Sequence, residues 1–153
     1  MSTRAGREAW RTIFRLLFDG QAHSRMSEAS AAVGVSAGLL KALFHLEPGE
    51  GLPMRDLADH WRCDASYVTN LADALEQRGL ATRQPHPTDR RVKMIALTEE
   101  GVATRKVALE LLHEPPPSFG ALTAAEQRQL RDLLRKVAAA DPELNGARIT
   151  SVG

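Results

Sequence analysis

The chain has 153 residues, 43% of them hydrophobic, which suits one domain with an ordinary core and excludes disorder as the main state. Lysine and arginine number 20 against 19 acidic residues, so no global attraction to nucleic acid or anionic membrane is available and any polyanion contact must be local. A single cysteine, Cys63, excludes an intrachain disulfide and suits a reducing cytoplasm. The longest uncharged run, Ala29 to Leu40, is too short and too rich in small residues for a membrane span, and no signal peptide is expected.

Trp10, Ile13, Phe14, Leu17 and Phe18 recur at helical spacing, which predicts an amphipathic helix from Arg7 to about Phe18, ended by Gly20. Ser24 to Val33 is helix-compatible but weakly patterned, and Gly34 breaks it before Ser36, a suitable N-cap. Leu39, Leu40, Leu43 and Phe44 mark the next helix, which ends before Pro48 and Gly49. After a turn over Glu47 to Gly51, Pro53 suits the first turn of a helix whose apolar face is Met54, Leu57, Ala58 and Trp61. Asp64 is the expected N-cap of the following helix, with Val68, Leu71, Ala72 and Leu75 as its stripe and Gly79 as its end. Two helices separated by little more than Arg62 and Cys63 form a helix-turn-helix. Such a pair can lay its second helix in a DNA groove, though many helical proteins contain one.

Leu80 to Gln84 and Val92 to Leu97 read as strands, and Pro85 to Arg91 between them hold two prolines and a Thr-Asp turn pair. This hairpin sets Arg83, Arg90, Arg91 and Lys93 against the single acidic Asp89, in a chain whose net charge is only +1. On composition alone a solvated face explains such a run equally well. Thr98 then caps a helix bearing Val102, Val107, Leu109, Leu111 and Leu112, with Glu99 and Glu100 where the helix dipole favours negative charge. Pro115, Pro116 and Pro117 stop it. Thr123 and Glu126 form a capping box ahead of a last helix striped by Leu130, Leu133, Leu134 and Val137, and beyond Asp141 and Pro142 the chain is expected to fray. The first and last helices carry more apolar surface than a small winged domain can cover, so the simplest partner for them is a second copy, in a two-fold homodimer.

Three segments carry a family resemblance: MRDLADHWRCDASYVTNLADALEQRGL from Met54 to Leu80, DRRVKMIALTEEG from Asp89 to Gly101, and LTAAEQRQLRDLLRKV from Leu122 to Val137. Through them the chain resembles the MarR family of bacterial winged helix-turn-helix regulators over nearly its whole length. The Asp-Arg-Arg wing running into Leu-Thr-x-x-Gly is the most specific of the three. The resemblance implies a mainly α fold with a small β-hairpin wing, one continuous domain in which residues 37–98 form the DNA-binding lobe and residues 1–36 and 99–153 a helical dimerisation region. It implies a homodimer on double-stranded DNA at a near-palindromic operator, with the helix from about Ala65 to Arg78 in the major groove and the wing in the adjacent minor groove. It further implies transcriptional control, usually repression relieved by a small molecule.

With the stripe in the core, Ser66, Tyr67, Thr69, Asn70, Asp73 and Gln77 are left on or near the exposed side of that helix. Ser66 and Thr69 can bond phosphates or bases, and Asn70 and Gln77 can pair with adenine in a bidentate manner. Many relatives carry a basic residue or glycine where this chain has Asn70. Asp73 has the wrong charge for phosphate and is expected to orient a neighbouring arginine. In the wing, Arg91 is the candidate for insertion into a narrow minor groove, and Arg90, Lys93 and Arg83 for backbone contacts. Asp89 is expected to brace the turn through backbone N–H groups or an arginine.

Trp10, Phe14, Phe44, Trp61 and Leu109 are candidates to line a ligand pocket between the dimer helices and the winged lobe, with Arg15, His45 and His113 as anchors for an anionic aromatic effector. A stripe of this kind is far more often plain core. Cys63 reads as a small apolar turn residue in preference to a reactive thiol. The five histidines form no i, i+4 pair, so neither a metal site nor a cofactor is expected. No nucleophile elbow, Gly-rich phosphate loop or supported carboxylate pair points to an enzyme. The competing reading of the whole chain is a winged-helix protein-interaction module without DNA binding.

Overall fold

A computed structural model of the protein describes residues 3–18 and 22–141. Gly20 and the tail after Asp141 lie outside the described residues. Helices α1 (Arg4–Phe18), α2 (Ala22–Val33) and α3 (Ala37–His45) lead to a short strand β1 (Leu52–Pro53), then α4 (Met54–Trp61) and α5 (Ala65–Gln77). The hairpin β2 (Ala81–Pro85) and β3 (Lys93–Leu97) precedes α6 (Glu99–His113), a 3-10 turn over Pro117–Ala121, and α7 (Ala124–Ala139). The pair α4–α5 followed by this hairpin is a winged helix-turn-helix.

Local chemistry explains most of the boundaries. Ser36, Thr98 and Thr123 cap their helices by accepting from the N–H of Leu39, Gly101 and Glu126 respectively. The Glu126 carboxylate accepts in return from the Thr123 N–H at 2.8 Å, completing the capping box. That backbone bond, with the Thr123 hydroxyl second, holds the Glu126 carboxyl below its ordinary range. Asp64 occupies the N-cap of α5 in an extended conformation, but its side chain makes no capping bond. At the other end of α5, Gly79 takes φ +69°, and the Leu80 N–H turns back to the Leu75 carbonyl at 2.9 Å. Arg62 closes α4 in the same left-handed region (φ 48°), with the Cys63 N–H reaching the Ala58 carbonyl at 3.1 Å. A residue with a side chain pays roughly 1–2 kcal/mol there, which marks the tightness of this turn.

The sheet is antiparallel in the order β1-β3-β2, with Leu52 and Arg83 both opposite Ile95. Strand β1 corrects the sequence reading of Pro53 as a first helical turn. Pro53 instead sits before α4 with ψ 131°, paired opposite Met94. Proline lacks the N–H that a central strand needs, so it is tolerated at this sheet edge, and two residues are too few to show alternation. Both hairpin strands start one residue later than expected, and Leu80 is buried at the turn instead.

The core gathers around α3. Leu40, Leu43 and Leu46 meet Val68 and Leu75 of α5, Ile95 of β3, Ala29 of α2 and Ala108 of α6. Each large side chain fully buried here contributes about 1.5–3 kcal/mol. Helix α6 turns Gly101, Arg105, Ala108 and Leu109 inward, while Val107 and Leu111 face out. Buried Arg105 reaches the Glu47 carboxylate at 3.4 Å, tying α6 to the turn after α3. The junction of β3 with α6 is close: the Thr98 N–H donates to the Leu80 carbonyl at 3.1 Å and its hydroxyl to the Gly79 carbonyl at 2.6 Å.

No residue of α1 or α7 is fully buried in the single chain, and only Ile13, Leu130 and Ala138 are half-buried. Trp10 and Phe18 of α1 are 63% and 68% exposed, and Val137 of α7 is 68% exposed. The rings of Phe14 and Phe18 stack at 4.4 Å, and both side chains are exposed.

Candidate nucleic-acid interface

The outward face of α5 presents Ser66, Tyr67, Thr69, Asn70 and Gln77, all exposed, opposite buried Val68, Ala72 and Leu75. Leu71, read as core, is half-buried. The Thr69 hydroxyl donates to the Ala65 carbonyl at 2.9 Å, so its proton is committed to the helix and its oxygen remains available as an acceptor. The Tyr67 phenol lies against the first turn of α3, its oxygen 3.3 Å from where a Cβ on Gly38 would stand.

At the base of the wing, Arg83 is held by two carboxylates of α5. Its guanidinium pairs with Asp73 at 2.6 Å and with Glu76, and also donates to the Thr69 carbonyl at 3.3 Å. The second oxygen of Glu76 accepts the Arg83 backbone N–H at 2.8 Å. The hydrogen bond to Asp73, first among several causes, raises the Arg83 pKa above its usual value. Asp73 thus orients an arginine, and that arginine is engaged inside the protein.

The tip is different. Arg90, Arg91 and Lys93 are exposed, and none forms an ion pair with a carboxylate among the described residues. Asp89 accepts the Arg91 N–H on its carboxylate at 3.0 Å and the Val92 N–H on its carbonyl at 3.0 Å, bracing the turn. His86 accepts the N–H of Thr88 and of Asp89 on Nδ1, each at 3.3 Å.

The residues named for a ligand pocket are spread over several elements of the single chain. Trp10 and Phe14 lie exposed on α1, Phe44 is half-buried against the core, Leu109 is buried in α6, and the Trp61 side chain lies outside the described residues. A groove of about 420 Å³ lies elsewhere, between the 3-10 turn and α7, lined by Phe119, Leu130, Leu134 and Ala138 with Gln127, Arg131 and Arg135. Cys63 packs half-buried against the core. Among the described residues no group of three or more metal-ligating side chains comes together, and no helix is long and apolar enough to cross a membrane.

The MarR family model matches residues 35–93, from just before α3 to the first residue of β3. The HTH-type transcriptional regulator BilQ of Clostridium symbiosum is 32% identical over 105 residues, covering 68% of this chain and 73% of the relative. The chain belongs to the MarR family. The relatives it matches are named as transcriptional regulators, and they include the repressor MdtR of Bacillus subtilis, 36% identical over 76 residues, or 50% of this chain and 49% of that one. The crystal structure of YusO from Bacillus subtilis superposes with a TM-score of 0.68 at 27% identity, covering 92% of this chain and all of the other.

Within this MarR-family fold, the residues that reasoning from sequence missed are Glu76 and His86. Glu76 lies between the apolar positions of α5 and reads as an ordinary solvated charge; only the approach of β2 gives it a partner. Glu76→Ala separates bracing from bulk electrostatics. Deleting a negative charge near a DNA-binding face strengthens phosphate attraction, whereas loosening the wing weakens binding. The expected result is a loss of about threefold to tenfold in affinity for DNA, since an acceptor of two hydrogen bonds disappears. Fluorescence anisotropy reads it, and tighter binding by the variant refutes the bracing role.

Proposed function

We propose that this MarR-family regulator acts as a homodimer that reads double-stranded DNA in two places, with the outer face of α5 in a major groove and the wing tip in the adjacent minor groove. The observation that carries the reading is the contrast within one hairpin. The cation at the wing base is neutralised by Asp73 and Glu76, while those at the tip, Arg90, Arg91 and Lys93, stand exposed and unpaired among the described residues. Charge left unpaired on a projecting loop is suited to a polyanion. On α5, Ser66, Tyr67, Thr69, Asn70 and Gln77 supply the polar groups for direct readout, with Asn70 and Gln77 suited to adenine. Residues 37–98 act as the reading lobe in this scheme.

The exposed apolar faces of α1 and α7, within residues 1–36 and 99–153, support pairing of two chains. A two-fold dimer places two reading lobes on a near-palindromic operator with half-sites about 34–36 Å apart. Repression is the mode suggested by the likeness to MdtR, and release by a small aromatic or anionic ligand is the regulatory step the family likeness suggests. The setting is the cytoplasm.

The test is selection of duplexes from a random pool by the full chain, followed by binding across a salt series and by sedimentation of the complex. Two chains per duplex, on a site with inverted half-sites and with affinity falling steeply as salt rises, is the expected outcome. Failure to select any duplex favours the protein-interaction module.

A further inference from the structure

We propose that His86 is a positioning residue of the wing: its imidazole closes the tip loop and thereby sets the direction in which Arg91 leaves it. The inference deepens the DNA-binding reading and rests on it.

Residues 86–92 fold back on themselves with almost no apolar packing. Thr88, Asp89, Arg90 and Arg91 are all exposed, so the shape of the tip depends on its hydrogen bonds. Two side chains supply the acceptors. Nδ1 of His86 accepts from the N–H of Thr88 and of Asp89 at 3.3 Å each and lies 3.2 Å from the Thr88 hydroxyl. The Asp89 carboxylate then takes the Arg91 N–H at 3.0 Å. The ladder closes beneath them, the His86 N–H donating to the Val92 carbonyl at 3.2 Å and the Val92 N–H to the Asp89 carbonyl at 3.0 Å. The Asp89 backbone is therefore held from the His86 side, and the Asp89 side chain holds Arg91. Without the imidazole the first link of this relay is lost.

The pattern has a chemical equivalent. An asparagine or aspartate that opens a turn accepts from the N–H two residues on through its side-chain oxygen. In histidine, Nδ1 is bonded to Cγ as Oδ1 is in asparagine, so the ring nitrogen stands where that oxygen would. Pro87 adds to the effect, because a residue before proline is confined to extended backbone, and His86 is held ready for the turn. The imidazole thus works as a hydrogen-bond acceptor for the loop and contacts DNA through nothing but its effect on Arg91.

The experiment is a double-mutant cycle on the full chain: wild type, His86→Ala, Arg91→Ala and the double variant, with His86→Asn as the conservative replacement. Affinity is measured by anisotropy on a fluorescent duplex selected from a random pool by the wild-type chain, and the Tm of each variant is recorded. His86→Ala is expected to weaken binding about fivefold with Tm unmoved, as fits two lost hydrogen bonds at an exposed tip. In the Arg91→Ala background the same change is expected to have little effect, and His86→Asn to bind like wild type. Unchanged affinity of His86→Ala, an equal loss in both backgrounds, an asparagine variant as weak as alanine, or a Tm fall that tracks the affinity loss each overturns the proposal. If Arg91→Ala itself binds like wild type, the wing reading fails first and takes this inference with it.

Discussion

Gly101→Ala is expected to destabilise the protein by about 3 kcal/mol or more, lowering Tm by roughly 10 °C. The direction runs against helix propensity, which on its own favours alanine over glycine by about 1 kcal/mol inside a helix such as α6. Packing reverses it. A Cβ on Gly101 would overlap the Leu80 carbonyl oxygen and stand 2.9 Å from the carbonyl carbon. Both atoms are backbone, so no side-chain rotation relieves the overlap. The carbonyl is also pinned, since it accepts the Thr98 N–H at 3.1 Å, and the neighbouring Gly79 carbonyl takes the Thr98 hydroxyl at 2.6 Å. Accommodation therefore means parting α6 from the turn between α5 and β2, which breaks those bonds and opens the core beside Ala108. Urea unfolding with a lower midpoint at unchanged slope is the expected reading. Stability equal to or above wild type sinks this account of the junction.

That junction also explains why the Leu-Thr-x-x-Gly segment carries information in the sequence. Leu97 ends the wing, the Thr98 hydroxyl both caps α6 and bonds the preceding turn, and Gly101 permits the close approach. A threonine and a glycine at fixed spacing are legible because each is demanded by backbone geometry. The same holds for Ser36, Thr123 with Glu126, and Gly79, whose roles are local and follow from residues within one turn.

What was not legible is non-local or degenerate. β1 consists of two residues, and its pairing with β3 bridges a long stretch of chain, so no periodicity announces it. Arg62 in a left-handed conformation carries no signal, because any residue can be forced there by a sufficiently tight turn. Asp64 has the right chemistry at the right position and does not use it. Arg83 and Arg91 look alike as charges in one hairpin. They differ because pleating turns Arg83 of β2 toward α5, where Asp73 and Glu76 wait, while the exposed Arg91 guanidinium at the tip makes no ion pair among the described residues. Strand register is what turns Arg83 onto α5, and register is fixed only when the sheet is assembled.

The difference between those two arginines sets the second large expectation: Arg91→Ala weakens binding to a selected duplex by roughly tenfold to a hundredfold. A narrow A·T-rich minor groove concentrates negative potential, and a guanidinium inserted there exploits it better than an ammonium, because it sheds water more readily. Arg91→Lys is therefore expected to recover only part of the loss. Lys93 leads back into β3 and is suited to a phosphate, so Lys93→Ala is expected to lower affinity nearly uniformly across sequences and to flatten the salt slope by about one unit. The two variants separate on a second axis. Replacing A·T pairs by G·C in the segment facing the wing widens the groove, so it should cost the wild type affinity and cost Arg91→Ala far less, while Lys93→Ala should remain as sensitive as wild type. Anisotropy on both duplexes across a salt series measures all of this. Wild-type affinity in Arg91→Ala removes the wing from the reading surface, and equal sensitivity of the two variants to the A·T replacement removes Arg91 from the minor groove while leaving the wing as a phosphate clamp.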